Sequence, residues 1–571
     1  MQCLLSDWVM QVHAFHAPQP LPEVPKSIED ALNGPYADLW KKAIYDELEQ
    51  FDNRNIFAPA KQTGRAMGTK LILKYAYNND YTIKAKARLV AKGYSQIYGL
   101  DYLETYAPTF SLLTVLLLFW MAAHYIMFSA IFDVSGAFLE GVQDIQQFAV
   151  LPKELFPEDY DRLRVEVIGN WYGTKQAPKI WNDHLDEILV VEMGMVCCPV
   201  DPCLYLKRTG EDIIILCVHV DDGKLISTKK ECIEEFLEVL LQHVRKVKLL
   251  WTYSRYIGMD VDWYPEDQQV LLNQRTYIEQ RDWVSTTTRE VKTPMSVTVN
   301  LRAAKPNPEN ESLLPITGTL RYLADRTRPD ILVSTGSMST GGASDPSDDH
   351  VATAERTINY LMQYPNLGLV LGGATPLSIF AYADASYITD GDAKSRLGGC
   401  VFLNNDSGAI ISFSRNDTSI STISHSVMEA EIKAVDQLIL ELIYLVDILT
   451  FIGIHHSGPI SLYCDNKNAV DLCNTIKHSH KTKVVNMRIH FIREMIKKGF
   501  IVIKFIRSAF NVADVLTKPL NADQHQVLIK ILLMGHDSIN PERWVEQVLL
   551  MDDDEEFSLI AYEEYLLRKE N

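Results

Sequence analysis

"LCVHVDDGKLIS" runs from Leu216 to Ser227, and its reading decides the fold. An apolar run leads into two adjacent aspartates, Asp221 and Asp222, and an apolar pair follows almost at once. The pattern reads as a buried hairpin with two like charges at its turn. Neighbouring carboxylates in a half-buried place raise each other's pKa, so the pair calls for a partner of opposite charge. Upstream, "IFDVSGAFLEG" sets Asp133 at the end of a second apolar, β-branched-rich strand. If the two strands are neighbours in one sheet, three carboxylates converge at one edge. Divalent cations would make that arrangement tolerable, because Mg²⁺ takes carboxylate oxygens together with substrate phosphate.

The chain has 571 residues, too many for one core, with 47% hydrophobic and 23% charged residues. It is therefore a globular chain of several domains. Nine cysteines are scattered, with Cys197 and Cys198 adjacent and no CxxC pair. That excludes a zinc ribbon and points to a reducing compartment. The proline-rich start lacks a secretory signal pattern. "SLLTVLLLFWMAAHYIMFSAIF" (Ser111 to Phe132) carries no formal charge over 22 residues. Thr114, His124 and Ser129 interrupt it and Asp133 follows, so it reads as a buried helix and strand with no membrane span.

The net charge of −19 is unevenly spread. Residues 526–571 hold 11 acidic against 4 basic residues, while 461–520 hold 11 basic against 4 acidic. "TIKAKARLVAKGY" carries Lys84, Lys86, Arg88 and Lys92 with no acid. Basic patches thus sit on an acidic chain, and polyanions remain eligible partners.

Residues 1–35 read as a loose leader. A helix is expected at "YADLWKKAIYDELEQF", and a β-hairpin at "KLILKYAYNNDYTIKAKARLV" with its turn at Asn78-Asn79-Asp80. Strands are expected at "FSAIFDVS", "CLYLKR" and "DIIILCVHV", and helices at "PKIWNDHLDEILVVEM" and "KKECIEEFLEVLLQHVRK". A first α/β domain therefore ends near Trp283, and a proline-bearing segment follows. Helical patterns return at "TGTLRYLADRT" and "HVATAERTINYLMQY". A second α/β pattern runs from "LSIFAYADASY" to "NVADVLTKPL".

Eight ordered blocks carry a family resemblance. "KARLVAKGYSQIYGLDYLETYAPTF", "FDVSGAFLEG", "YGTKQAPKIW" and "VHVDD" resemble the reverse transcriptase of Ty1/copia-type retrotransposon Pol polyproteins. "LRYLADRTRPDI", "ADASY", "SHSVMEAEIKAV" and "ADVLTKPL" continue that family's order, and the resemblance covers roughly residues 36–525. It implies an α+β / α/β multidomain chain, a right-hand (fingers, palm, thumb) polymerase followed by an RNase H-like mixed-sheet domain. The expected division is leader 1–35, fingers and palm 36–283, thumb or connection 284–375, RNase H-like domain 376–525 and acidic extension 526–571.

The resemblance further implies that Asp133, Asp221 and Asp222 hold two Mg²⁺ ions, with Mn²⁺ as the alternative. One activates a primer 3′-hydroxyl, and the other neutralises the triphosphate. Phe138 falls at the aromatic gate against a ribose 2′-hydroxyl, and Gln176 where a glutamine meets the incoming nucleotide. Arg88, with Lys92 as a second cation, falls where the triphosphate is clamped. "YIGMDV" (Tyr256 to Val261) resembles the block that steadies the primer end. In the C-terminal segment Asp384 follows the strand "SIFAY", Glu431 sits in a helix, Asp465 ends the strand "ISLYC" and Asp514 is expected to open the last helix in "NVADVL". These four match the D-E-D-D set of RNase H, again with two Mg²⁺. Glu429 competes with Glu431, and His490 is expected to be structural.

The implied function is an RNA-directed DNA polymerase with RNase H activity. Its implied partners are an RNA template, a DNA primer, RNA–DNA hybrid, dNTPs and other Pol or Gag products, with no membrane. The implied location is a cytoplasmic virus-like particle, with the nucleus as a second location. The chain reads as the 3′ part of such a polyprotein. Several positions depart from the family: His219 stands where a tyrosine is usual, Gly223 replaces a hydrophobic residue, and "YGTKQ" carries Thr174. An arginine usual near the start of the helix before Asp133 is missing, and "EVIGNWYG" replaces a more basic run. These departures motivate two alternatives, a catalytically decayed or host-retained remnant and an RNase H-only nuclease.

Overall fold

The structure, a computed structural model, describes residues 21–60, 65–77, 82–155, 163–301, 304–386, 395–417, 426–475 and 483–536. The start of the leader, the turn at Asn78-Asn79-Asp80 and most of the acidic extension lie outside the described residues.

Among the described residues the chain is mixed α/β with four sheets. The first holds the strands Met67–Tyr77 and Ile83–Ala91, an antiparallel pair in register from Thr69 with Ala91 to Tyr77 with Ile83. On Ile83–Ala91, Ala85, Ala87 and Leu89 are buried while Lys84, Lys86 and Arg88 are exposed, the period-two alternation of a strand with one wet face. Lys74 stands opposite Lys86, so the cations share one face of the pair. The helix Ala37–Asn53 packs on the other face through Trp40, Ile44 and Phe51.

The second sheet has six strands, all antiparallel, with Phe128–Val134 and Asp222–Ser227 as inner neighbours. The helix Leu112–His124 is buried from Thr114 to Ala123. It packs against Asp222–Ser227 of this sheet and against Gln269–Asn273 and Gly368–Gly372 of another. A helix enclosed by two sheets can be apolar all round, which accounts for the uncharged stretch from Ser111. No helix among the described residues is long and apolar enough to cross a membrane.

Gln269–Asn273 and Gly368–Gly372 pair directly in the third sheet, which also contains Arg255–Tyr256 and Met259–Tyr264. Residue 283 therefore falls between strands that share a sheet. The fourth sheet runs Ile411–Asn416, Arg396–Phe402, Phe380–Ser386, Ile460–Cys464, Ile501–Phe505, with three antiparallel strands followed by two parallel ones. The 26-residue helix Val427–Ile452 crosses it. Ser426 caps this helix by accepting the Glu429 backbone N–H at 3.2 Å, and Gly453 ends it with φ +84°. At that end Arg208, from the second sheet, donates to the Ile452 carbonyl.

Candidate active sites

The strands bearing Asp133 and Asp222 are antiparallel neighbours, and these two residues are register partners. The Asp221 carbonyl accepts the Val134 N–H at 2.9 Å, which pins the hairpin tip to the neighbouring strand. His219 pairs with Asp222, leaving Val220 and Asp221 as a two-residue turn. Val220 takes φ +58°, an unfavourable region for a β-branched residue. Trp181 holds it there, its indole N–H donating to the Val220 carbonyl at 2.6 Å. All three aspartates are half-buried. Burial, then Asp221 and Asp133, push the Asp222 carboxyl up to about 7. Asp221 is raised by burial, and Arg88 opposes that shift with its positive charge. A crowded carboxylate set of this kind fits a divalent cation.

The expected nucleotide contacts divide. Arg88 is exposed on the cationic face and acts electrostatically on Asp221, while Lys86 interacts with Asp133 in the same way. Phe138 is half-buried in the turn Ala137–Leu139, which follows Gly136. Lys92 lies half-buried against Gly68. Gln176 is fully buried. Its amide nitrogen donates to Gln143 Oε1 at 2.9 Å and to the Asp101 carbonyl at 3.2 Å, and its oxygen accepts from Gln96 at 3.0 Å. Gln96 also reaches Gln147 at 3.1 Å. This glutamine cluster carries no sequence signal, because its members come from three separate segments, with Gln143 and Gln147 sharing the strand Val142–Val150.

The departures at the hairpin have local causes. A β-carbon at Gly223 would overlap the Phe132 ring, which fills the room a larger residue would need. His219 packs on Phe110, ring centroids 4.5 Å apart, and its Nδ1 has no partner among the described residues. Thr174 is buried and donates to the Trp171 carbonyl at 2.8 Å.

The second set is tighter. Carboxylate oxygens of Asp384, Asp465 and Asp514 all lie within 4.8 Å of one another, and Glu431 joins Asp465 and Cys464 at the same spacing. Among the described residues these are the two groups so arranged, and the aspartates at the hairpin are not a third. Asp384 leaves the strand Phe380–Ser386, Glu431 lies on the long helix, and Asp465 follows Ile460–Cys464. Asp514 does not open the last helix, as the sequence suggested. It sits in a 3₁₀ turn, Val512–Leu516, and the helix begins later at Ala522. Asn511 caps that turn and donates to the Ala383 carbonyl at 3.0 Å, seating Asp514 beside Asp384. Glu429 reaches Lys433 instead, 3.9 Å away, and Lys433 also pairs with Asp417. His490 is exposed.

Burial raises Asp384, Glu431 and Asp514, and the mutual repulsion of the acids adds to it. Lys518 relieves part of this, its Nζ 3.1 Å from Asp514 and 3.9 Å from Asp384. Burial disfavours the Lys518 charge, but the acids outweigh it and hold the ammonium above its ordinary value. Thr517 donates to Asp384, and Ser508 to Asp465. Lys518 stands four residues after Asp514 in "ADVLTKPL", a spacing that does not reveal in sequence that its ammonium is shared with Asp384.

Residues 56–296 match the family described as reverse transcriptase (RNA-dependent DNA polymerase). The chain is 30% identical over 496 residues to the Retrovirus-related Pol polyprotein from transposon RE2 of Arabidopsis thaliana, covering 85% of this chain and 33% of that one. It is 26% identical over 524 residues to the corresponding polyprotein from transposon TNT 1-94 of Nicotiana tabacum, covering 89% and 39%. The chain is a Ty1/copia-type retrotransposon Pol relative. It spans about a third of the length of the curated relatives it matches. Among solved structures, a foamy viral protease-reverse transcriptase in complex with dsDNA aligns with TM-score 0.47 and 12% identity, covering 82% of this chain and 83% of that one.

Proposed function

We propose that this chain is an RNA-directed DNA polymerase with an RNase H centre. The polymerase unit would occupy residues 36–283, with a connection to 375 and a nuclease unit to 525. The observation that carries the polymerase reading is the register pairing of Asp133 with Asp222 at the tip of a strained hairpin. Its acids have no ion-pair partner among the described residues. Asp133, Asp221 and Asp222 would hold Mg²⁺, which supplies charge neutralisation for the triphosphate and a more acidic primer hydroxyl. The protein's own part is positioning. Trp181 fixes the turn, and the exposed Lys84, Lys86 and Arg88 offer cations to phosphates from the neighbouring sheet. Asp384, Glu431, Asp465 and Asp514 form the second metal-holding set, on an RNA–DNA hybrid. Template, primer, hybrid and dNTPs are the partners this reading requires, and a virus-like particle is the location it favours.

The test is primer extension on poly(rA)/oligo(dT) with Mg²⁺ beside an Asp221→Asn control. Extension that disappears in Asp221→Asn is the expected result, and extension that survives the change sinks the reading. Hybrid cleavage, lost in Asp384→Asn, tests the second set. A second reading, nuclease activity without polymerisation, is favoured by one contrast. Asp384, Asp465 and Asp514 lie together within ligand spacing, whereas at the hairpin Asp222 meets Asp133 but the three aspartates do not form such a group. Cleavage without extension would select it.

A further inference from the structure

Lys518 holds an unusual place in the C-terminal acid cluster. It lies four residues beyond Asp514, past the end of the 3₁₀ turn, and its ammonium is shared between Asp514 and Asp384. Only one oxygen of Asp514 is used. The other, Oδ1, is buried and has no hydrogen-bond partner among the described residues. Asp514 itself is 1% exposed, so water does not supply the missing partner by exposure. An unpartnered buried carboxylate oxygen beside two more carboxylates is a cation position. Lys518 occupies one edge of it and leaves the rest open. The lysine is not locked in, since 38% of its side chain is exposed, whereas the two aspartates it touches are almost fully buried.

We propose that Lys518 is a resident counter-cation of this cluster, and that a divalent ion enters the Asp384–Asp514 edge by displacing its ammonium. The inference rests on the reading of these acids as a metal-holding nuclease set. An ammonium and a divalent ion cannot share that edge, because like charges a few Å apart repel strongly where water is scarce. A carboxylate edge that Lys518 already neutralises therefore takes a metal more weakly than a bare one. Once displaced, the ammonium lies at the exposed mouth of the cluster, within reach of a phosphate on a bound hybrid strand. Lysine suits this exchange, being a compact charge on a flexible four-carbon stem. Metal and nucleic acid then help each other bind, since the metal frees the lysine and a phosphate receives it.

The test uses the full chain in an Asp221→Asn/Asp222→Asn background, so that the hairpin set contributes little Mn²⁺ binding. Free Mn²⁺ is followed by electron paramagnetic resonance. Lys518→Gln should lower the Mn²⁺ dissociation constant by about tenfold, within the usual range for coupled sites, and Lys518→Arg should stay near the parent. A 2′-O-methyl RNA–DNA hybrid, which resists cleavage, should tighten Mn²⁺ binding in the parent and do so less in Lys518→Gln. If Lys518→Gln unfolds without metal, Mn²⁺ should raise its Tm more than the parent's, the same preference read through stability. Equal dissociation constants in the parent and Lys518→Gln overturn the proposal while leaving the metal-holding reading intact. If Asp514→Asn changes Mn²⁺ binding in neither protein, the nuclease reading falls and this proposal falls with it.

Discussion

Phe132 lies across Gly223 on the neighbouring strand, and its ring occupies the volume that a side chain at 223 would take. The two residues are therefore one packing unit, and Gly223 is a fitted partner. Gly223→Ala should cost about 1–3 kcal/mol of stability by overpacking. Adding Phe132→Leu should return part of that loss. Denaturant unfolding of both singles and the double gives the coupling, and simple additivity would contradict the packing account.

Asp222 should impose a pH dependence on stability when divalent ions are chelated. Its folded carboxyl is pushed up to about 7, above the unfolded value near 4. A raised acid contributes stability that is fully present below the unfolded pKa and is lost as pH rises through the folded one. Stability of the metal-free protein should thus fall between about pH 4 and pH 7. Asp222→Asn should lessen the fall, the raised Asp221, Asp384, Glu431 and Asp514 carboxyls supplying the rest, and be the more stable protein at pH 8 by roughly 2–4 kcal/mol. Chemical unfolding in EDTA across that range checks both the sign and the window.

Arg88 stands exposed on the cationic strand face, and its charge is felt at Asp221. If it clamps a triphosphate, Arg88→Ala should raise the KM for dNTP about tenfold and change kcat much less. Arg88→Lys should recover part of the loss, as a point charge replaces a forked donor. Steady-state extension kinetics separate the two parameters.

Gln176 makes the opposite kind of prediction. Its amide is bonded to Gln96, Gln143 and the Asp101 carbonyl. Gln176→Ala should therefore destabilise by about 1–3 kcal/mol, the usual cost of leaving buried polar groups unpaired. A stable Gln176→Ala protein with a raised KM for dNTP would instead place this side chain against the nucleotide.

Local patterns were readable and distant partnerships were not. Exposed Lys84, Lys86 and Arg88 between buried alanines and Leu89 show the strand period directly. The pairing of Asp133 with Asp222 could be anticipated because both stand at the ends of apolar strands. The glutamine cluster could not, since Gln96, Gln143, Gln147 and Gln176 meet only after folding. The expected boundary near Trp283 follows from the alternation of strand and helix patterns ahead of a proline-bearing segment, and such local patterns carry no information on the pairing of Gln269–Asn273 with Gly368–Gly372. Asp514 was placed on a helix because "NVADVL" is compatible with one. The Asn511 side chain, bonded to Ala513 N–H and the Ala383 carbonyl, sets a tighter turn.

The helix Leu112–His124 has a consequence for shortened copies of this gene. Its His124 side chain meets the Gly373 carbonyl at 2.7 Å, and its Trp120 meets Asn404 at 3.5 Å. A stop codon placed before Gly368 would take away the strand Gly368–Gly372 and both of those contacts, leaving a row of large apolar side chains facing water. Such a product would be prone to aggregation and proteolysis. Loss of the chain from Gly368 onward would then unsettle the sheet that carries Asp133 and Asp222 as well, so termination there would disable both acid clusters together.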